Sequence, residues 1–168
     1  MNYLELKKEL ENDKFQGFVT IKELTANPLL VQKSKGVYII LRKTLDSPEF
    51  MEVGTGGFFK DENPNVSISE LQNNWVDDSP IMYIGKAGGT GVKATLQARL
   101  KQYMEFGQGK KIGHKGGRYI WQLKDSQELI VCWKSLGGDK EPRSVEHEMI
   151  EKFKQEHNGM RPFANLQD

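Results

Sequence analysis

Apolar positions recur at helical spacing over residues 2–14, with Tyr3, Leu6 and Leu10 on one side, and predict an amphipathic helix. A second short helix is predicted over IKELTAN: Thr20 can cap it, Glu23 holds the capping-box position and Pro28 limits it. The pattern then changes. Gly36 to Leu41, GVYIIL, is a continuous apolar, β-branched run of strand length, and Ile81 to Gly85, IMYIG, is a second. The two are expected to pair antiparallel and to bring Tyr38 near Tyr83. From about Lys93 a helical stripe of Leu96, Leu100, Tyr103 and Met104 returns. Tyr119 to Leu123 and Leu129 to Trp133 read as two more strands, joined by the polar turn KDSQE. A last helix follows, with Ser144 as its expected cap, Val145, Met149, Ile150 and Phe153 as its buried face, and Gly159 as its end.

These elements predict an α+β fold, a small and mostly antiparallel sheet flanked by helices. Residues 1–35 are expected to form a helical extension packed on a domain of residues 36–168. Residues 42–80 form a long excursion between the first two strands. Connections of that length tend to be functional or mobile, but Phe58, Phe59 and Trp75 argue for order, and Ser67 with Glu70 has capping-box spacing for a short helix. The glycines at 54, 56 and 57 are not followed by Gly-Lys-Ser/Thr, which argues against a nucleotide P-loop. A small-molecule enzyme built on them would lack an adjoining catalytic set.

The chain of 168 residues is long enough for one domain with a real core. Its lone cysteine, Cys132, leaves no internal disulfide and no cysteine zinc cluster, and its apolar surroundings suit a buried thiol. No run approaches membrane-span length, and the first residues lack the apolar core of a signal peptide, so a cytoplasmic protein without membrane partners is expected.

The net charge of +1 hides an asymmetry. Residues 1–80 carry 9 Lys/Arg against 13 Asp/Glu, whereas residues 86–118 carry 8 against one. Such a basic block is the footprint expected for a polyanion. It offers Lys86, Lys93, Arg99, Lys101, Lys110, Lys111, Lys115 and Arg118 as nucleic-acid contacts, interleaved with Tyr103, Phe106 and His114. His114 is a further candidate for phosphate contact or proton transfer, in a segment, 107–118, whose glycines predict a flexible loop. The loop at Gly88, Gly89 and Gly91 can bring amides to an anion. Arg99 and Tyr103, four apart, share a helix face. Glu146 borders the apolar face of the last helix, a plausible place for a carboxylate that holds a hard cation.

Taken in order, Gly36-Val37-Tyr38, Tyr83-Ile84-Gly85-Lys86-Ala87, Arg99 to Tyr103, Glu146 with Ile150, and Asn165 within Pro162-Phe163-Ala164-Asn165 resemble the GIY-YIG nuclease superfamily. The pattern is most similar to the subgroup typified by the N-terminal nuclease domain of the bacterial excision-repair subunit UvrC. It covers residues 36–168. The departures are GVY in place of GIY and the long 42–80 insertion, where the family has a short loop. The resemblance implies a metal-dependent endonuclease that hydrolyses DNA phosphodiester bonds. It makes Tyr38, Tyr83, Lys86, Arg99, Tyr103, Glu146 and Asn165 the catalytic set. Glu146 would hold Mg2+ or Mn2+, Arg99 would grip the scissile phosphate, and Tyr38 or Tyr83 would act as base. The alternative is a nucleic-acid-binding module of the same fold that is silent, or that cleaves only when a protein partner delivers substrate.

Overall fold

The computed structural model describes residues 1–167. Four antiparallel strands form one sheet: β1 (Gln16–Thr20), β2 (Gly36–Leu41), β3 (Ile81–Ala87) and β4 (Ile130–Ser135), in the order β1-β4-β2-β3. Five α-helices accompany it: α1 (Tyr3–Asn12), α2 (Ile21–Ala26), α3 (Ile68–Asn74), α4 (Leu96–Gly107) and α5 (Pro142–Glu156). The architecture is α+β, as expected. Among the described residues no helix is long and apolar enough to cross a membrane.

β2 is one of the two inner strands, and all six of its residues are buried. Alternation sends Val37, Ile39 and Leu41 to one face, where Ile84, Ile130, Cys132 and residues of α1 and α5 complete a core. Tyr38 and Ile40 point to the other face, into a larger core with Trp133, residues of α2 and α4, Trp121 and Phe163. A strand buried on both faces reads as an unbroken apolar run, which is why GVYIIL is so plain in the sequence.

Glycines fix how closely these layers approach. Tyr38 and Gly85 are paired across β2 and β3, and a Cβ on Gly85 would lie 2.3 Å from the Tyr38 ring. The glycine of the Tyr-Ile-Gly run is therefore the seat of the first tyrosine. Gly17, in left-handed backbone at a register shift of β1, seats Trp133 in the same way. That irregularity hides β1 from a periodicity search. Residues 1–35 thus contribute a strand to the sheet in addition to the two expected helices.

Three local expectations change. Arg118–Gln122 is a 3-10 turn and not a strand, so only one of the two expected later strands exists. Tyr119, Ile120, Trp121 and Gln122 are all buried, which a half-exposed strand would not allow. Gln122 instead holds the long excursion: its side chain accepts from the Val66 amide and donates to the carbonyls of Met51 and Val66. The last helix starts at Pro142, two residues before Ser144, with proline in the first turn where a missing N–H costs nothing. α4 starts at Leu96, because the Thr95 hydroxyl accepts the Ala98 amide at 3.1 Å.

The 42–80 excursion is ordered by specific ties. Ser67 caps α3, but the reciprocal half of the expected capping box is not made, because the Glu70 carboxylate accepts from the Tyr119 hydroxyl instead. Arg42, 5 % exposed, donates to Asp125 at 2.9 Å and to the Asp46 carbonyl, and lies over the Trp75 ring. Gly57 donates its amide to the Phe106 carbonyl, and its absent side chain leaves room for the Lys110 carbonyl. The excursion is clasped to the end of α4 and to the basic loop that follows.

Candidate active site at the edge of the sheet

β3 is an edge strand, so groups from both faces of the sheet meet along it. Asn165 covers the free edge: its Oδ1 accepts the Ile84 amide at 3.0 Å and its Nδ2 donates to the Ile84 carbonyl at 2.9 Å. The Ala164 amide donates to the Met82 carbonyl beside it. A side-chain amide carries one donor and one acceptor, as a peptide does, and can extend a ladder by one rung. A cavity of about 460 Å³ opens at this edge, lined by Tyr83, Lys86, Lys115, Gly116, Arg118, Glu146 and Asn165, with Leu166 and Gln167.

One wall is aromatic. Tyr38, Tyr83 and Tyr103 form a triangle with ring centroids 5.5–6.3 Å apart, and His114 stacks on Tyr103 at 4.4 Å. Tyr38 and Tyr103 are fully buried, and only Tyr83 reaches the cavity. The Tyr103 hydroxyl is committed to the Gly117 carbonyl, 2.6 Å away. Burial raises the pKa of all three phenols. For Tyr83, burial and then the Glu146 carboxylate raise it to about 12, against the opposing Arg99 guanidinium. Tyr38 lies well above the ordinary phenol value through burial and the adjacent Tyr83, with Arg99 again opposing. All three stand as neutral hydroxyls.

The other wall is charged. Lys86, at the exposed position of β3, donates to Glu146 of α5 at 3.2 Å. Desolvation pushes the Glu146 carboxyl above its usual range, and Lys86, Arg143 and His147 pull the other way. Arg143 lies one turn before Glu146 on the same side of α5, an i, i+3 relation visible in the sequence but passed over there. Arg99 rests on Gln102 at 3.1 Å, half-buried, with its charge felt by Tyr38, Tyr83 and His114.

Of the basic block, Lys86, Lys115 and Arg118 line this cavity. Lys115 is paired with Glu62 of the long excursion, and Arg118 lies over Tyr119. Lys110 is paired with Glu105, while Lys93, Lys101 and Lys111 are exposed elsewhere on the surface. His114 is only 1 % exposed, not on the surface as a loop histidine would suggest. The expected flexible loop is folded down onto Tyr103 and Tyr83.

A second cavity of about 540 Å³ shares Lys86 and is lined by Gly88, Gly89, Thr90, Val92, Glu141, Arg143 and Ser144. The three loop glycines are in left-handed backbone, as the sequence suggested. The Thr90 amide and hydroxyl donate to the Glu141 carboxylate at 3.0 and 2.8 Å, so this loop already holds an anion of the protein's own. Among the described residues no three His, Cys, Asp or Glu side chains converge as a metal cluster.

The arrangement thus offers one desolvated carboxylate, two or three cations and one accessible phenol around an open cavity. Comparison with known proteins returns no matching family model, no similar curated protein and no similar solved structure.

Proposed function

We propose that this cavity is the active site of a metal-dependent endonuclease of the GIY-YIG type, acting on DNA phosphodiester bonds. The observation that carries the reading is the convergence of Tyr83, Lys86, Glu146 and Asn165 on one cavity, with the Arg99 charge felt by the Tyr38 and Tyr83 phenols. These positions lie far apart in the chain, and the motif pattern had grouped them.

The residues fit one hard cation. A single carboxylate beside an open cavity suits a cation that keeps most of its waters and takes oxygen from a substrate phosphate. Desolvation makes the Glu146 charge costly, and a cation there would relieve it. Glu146 would hold Mg2+ or Mn2+, which when bound would polarise the phosphoryl oxygens and acidify a water.

The protein's own groups have separate tasks. Arg99 turns from Gln102 to the scissile phosphate, where its planar fork matches two oxygens. Lys86 moves from Glu146 to a phosphoryl oxygen and balances charge that grows there. Water forms the new P–O bond, the bond to the departing sugar oxygen breaks, one proton leaves the water and one reaches the alkoxide. Tyr83, the one phenol that reaches the cavity, is better placed than Tyr38 to orient the attacking water through its neutral hydroxyl, and the water's proton passes to solvent. Tyr38 and Tyr103 hold its ring. Asn165 holds β3 in place. Lys115 and Arg118 contact flanking phosphates.

One observation favours the partner-dependent variant. Lys86 closes on Glu146 and Glu62 closes on Lys115, so two of the three cations that line the cavity are paired internally. A partner that delivers DNA would have two weak pairs to exchange.

The test is incubation with supercoiled plasmid and Mg2+ or Mn2+, beside an EDTA control. Nicked or linear product, absent with EDTA, is the expected result. Intact plasmid that the protein still retards in a gel would replace catalysis with binding.

A further inference from the structure

The 107–118 segment contains five glycines, yet it is folded against the tyrosine cluster. Its anchor is His114. The imidazole is stacked on Tyr103 with planes 8° apart, and Nδ1 lies 3.0 Å from the Gly116 carbonyl. A carbonyl only accepts, so Nδ1 carries the proton. Nε2 is then a bare acceptor, buried and without a hydrogen-bond partner. Burial and the Arg99 charge keep the ring neutral, with a pKa of about 3.

The turn that His114 shapes lies on Tyr83. A Cβ on Gly116 would be 3.0 Å from the Tyr83 hydroxyl, and one on Gly117 would be 3.0 Å from the edge of its ring and 2.3 Å from the Tyr103 hydroxyl. Tyr103 fixes the far side of the turn through the Gly117 carbonyl. The chain of contacts therefore runs from the imidazole to the Gly116 backbone and on to the Tyr83 hydroxyl.

Stability alone does not explain an imidazole here. Phenylalanine would also offer a ring to Tyr103 and would bury no unpaired nitrogen, though it would leave the Gly116 carbonyl without its partner. Unsatisfied buried polar atoms are uncommon and call for another reason.

We propose that His114 is a positioning residue for Tyr83: as a neutral imidazole protonated on Nδ1, it sets the 114–117 turn that places the Tyr83 hydroxyl at the cavity. This rests on the nuclease reading above for the role of Tyr83, but not for the geometry. The substitution His114→Phe keeps the stack and removes the Nδ1 bond. It should change the melting temperature little, and lower kcat about 10- to 100-fold, the scale of a slightly misplaced reacting group. Affinity for a DNA duplex, measured with Ca2+ in place of Mg2+, should stay within about twofold. The 13Cζ resonance of Tyr83 should shift in the variant, whether or not the protein cleaves DNA.

Wild-type kcat with an unmoved Tyr83 resonance would overturn the proposal. So would parallel losses of stability and activity, which mark a residue that only packs. Should His114→Phe fail to fold, the 15N shifts of the wild-type imidazole decide. The Nδ1–H tautomer without titration between pH 5.5 and 8 supports the proposal, and an Nε2–H tautomer or a titrating ring ends it. A wild type that cuts no DNA removes the nuclease reading, while the Tyr83 resonance still tests the positioning.

Discussion

On one side of the cavity stand three phenols and an imidazole, packed ring to ring; on the other stand Lys86 paired with Glu146, Lys115 paired with Glu62, and Arg118. The aromatic side is held by shape. Gly85 admits the Tyr38 ring, Gly117 admits the Tyr103 hydroxyl, and added atoms would collide with rings that have nowhere to go. The charged side is held by ion pairs with side chains 42–58 % exposed on at least one partner, a type worth little to stability. The difference teaches where each kind of damage should appear: overfilling the first side should cost fold, changes to the second should cost chemistry, and Tyr83 and His114, where the first side meets the cavity, should touch chemistry without unfolding the protein.

Arg99→Ala should give the largest effect. On the nuclease reading it removes the fork that would turn from Gln102 to the phosphate, and cleavage should fall about 10²- to 10³-fold with an unchanged melting temperature. Plasmid nicking rates beside a thermal melt check this, and a stability loss would blur the two sides.

Gly85→Ala should act the other way. A Cβ 2.3 Å from the Tyr38 ring overpacks the core and should cost about 1–3 kcal/mol, read by urea unfolding. An unchanged midpoint would show that Tyr38 yields easily and that shape does not hold this wall.

Glu146→Gln should sharpen the contrast through its pH dependence. The folded-state pKa of Glu146 is raised, so the native protein binds this proton more readily than the unfolded chain does. Wild-type stability therefore drops as pH rises through that titration. The variant should be at least as stable as wild type above it and lose that advantage below it. Melts across pH 4 to 8 would show this.

The smallest effect should come from Lys115→Gln and Arg118→Gln. Each should lower the salt dependence of DNA binding by about one counterion, with no change in melting temperature. An unaltered slope would remove that residue from the DNA path.

The sequence carried the parts of this site that depend on periodicity. β2, β3, α4 and the stripe of α5 show in apolar spacing, and the caps at Thr20 and Ser67 show by residue type and distance. It also grouped Tyr38, Tyr83 and Tyr103, because adjacent strands and a helix face must bring them together. What it hid depends on contacts between distant segments. β1 carries a bulge and no alternation. Residues 119–122 have strand-like composition but are buried, with Gln122 tied to the 42–80 excursion. His114 has no periodic neighbours, and only the stack on Tyr103 accounts for its burial. The ties of Gln122 and Arg42 to backbone carbonyls likewise have no local signal.

The proposed nuclease site depends most on the Glu146 carboxylate, while DNA binding depends on the cations around it. The most direct test compares wild type and Glu146→Gln on one supercoiled plasmid with Mg2+, with cleavage and gel retardation read in parallel. The expected result is cleavage by wild type alone, with both proteins retarding the plasmid at similar concentrations. Cleavage by Glu146→Gln at the wild-type rate would contradict the claim and move the reaction away from this cavity.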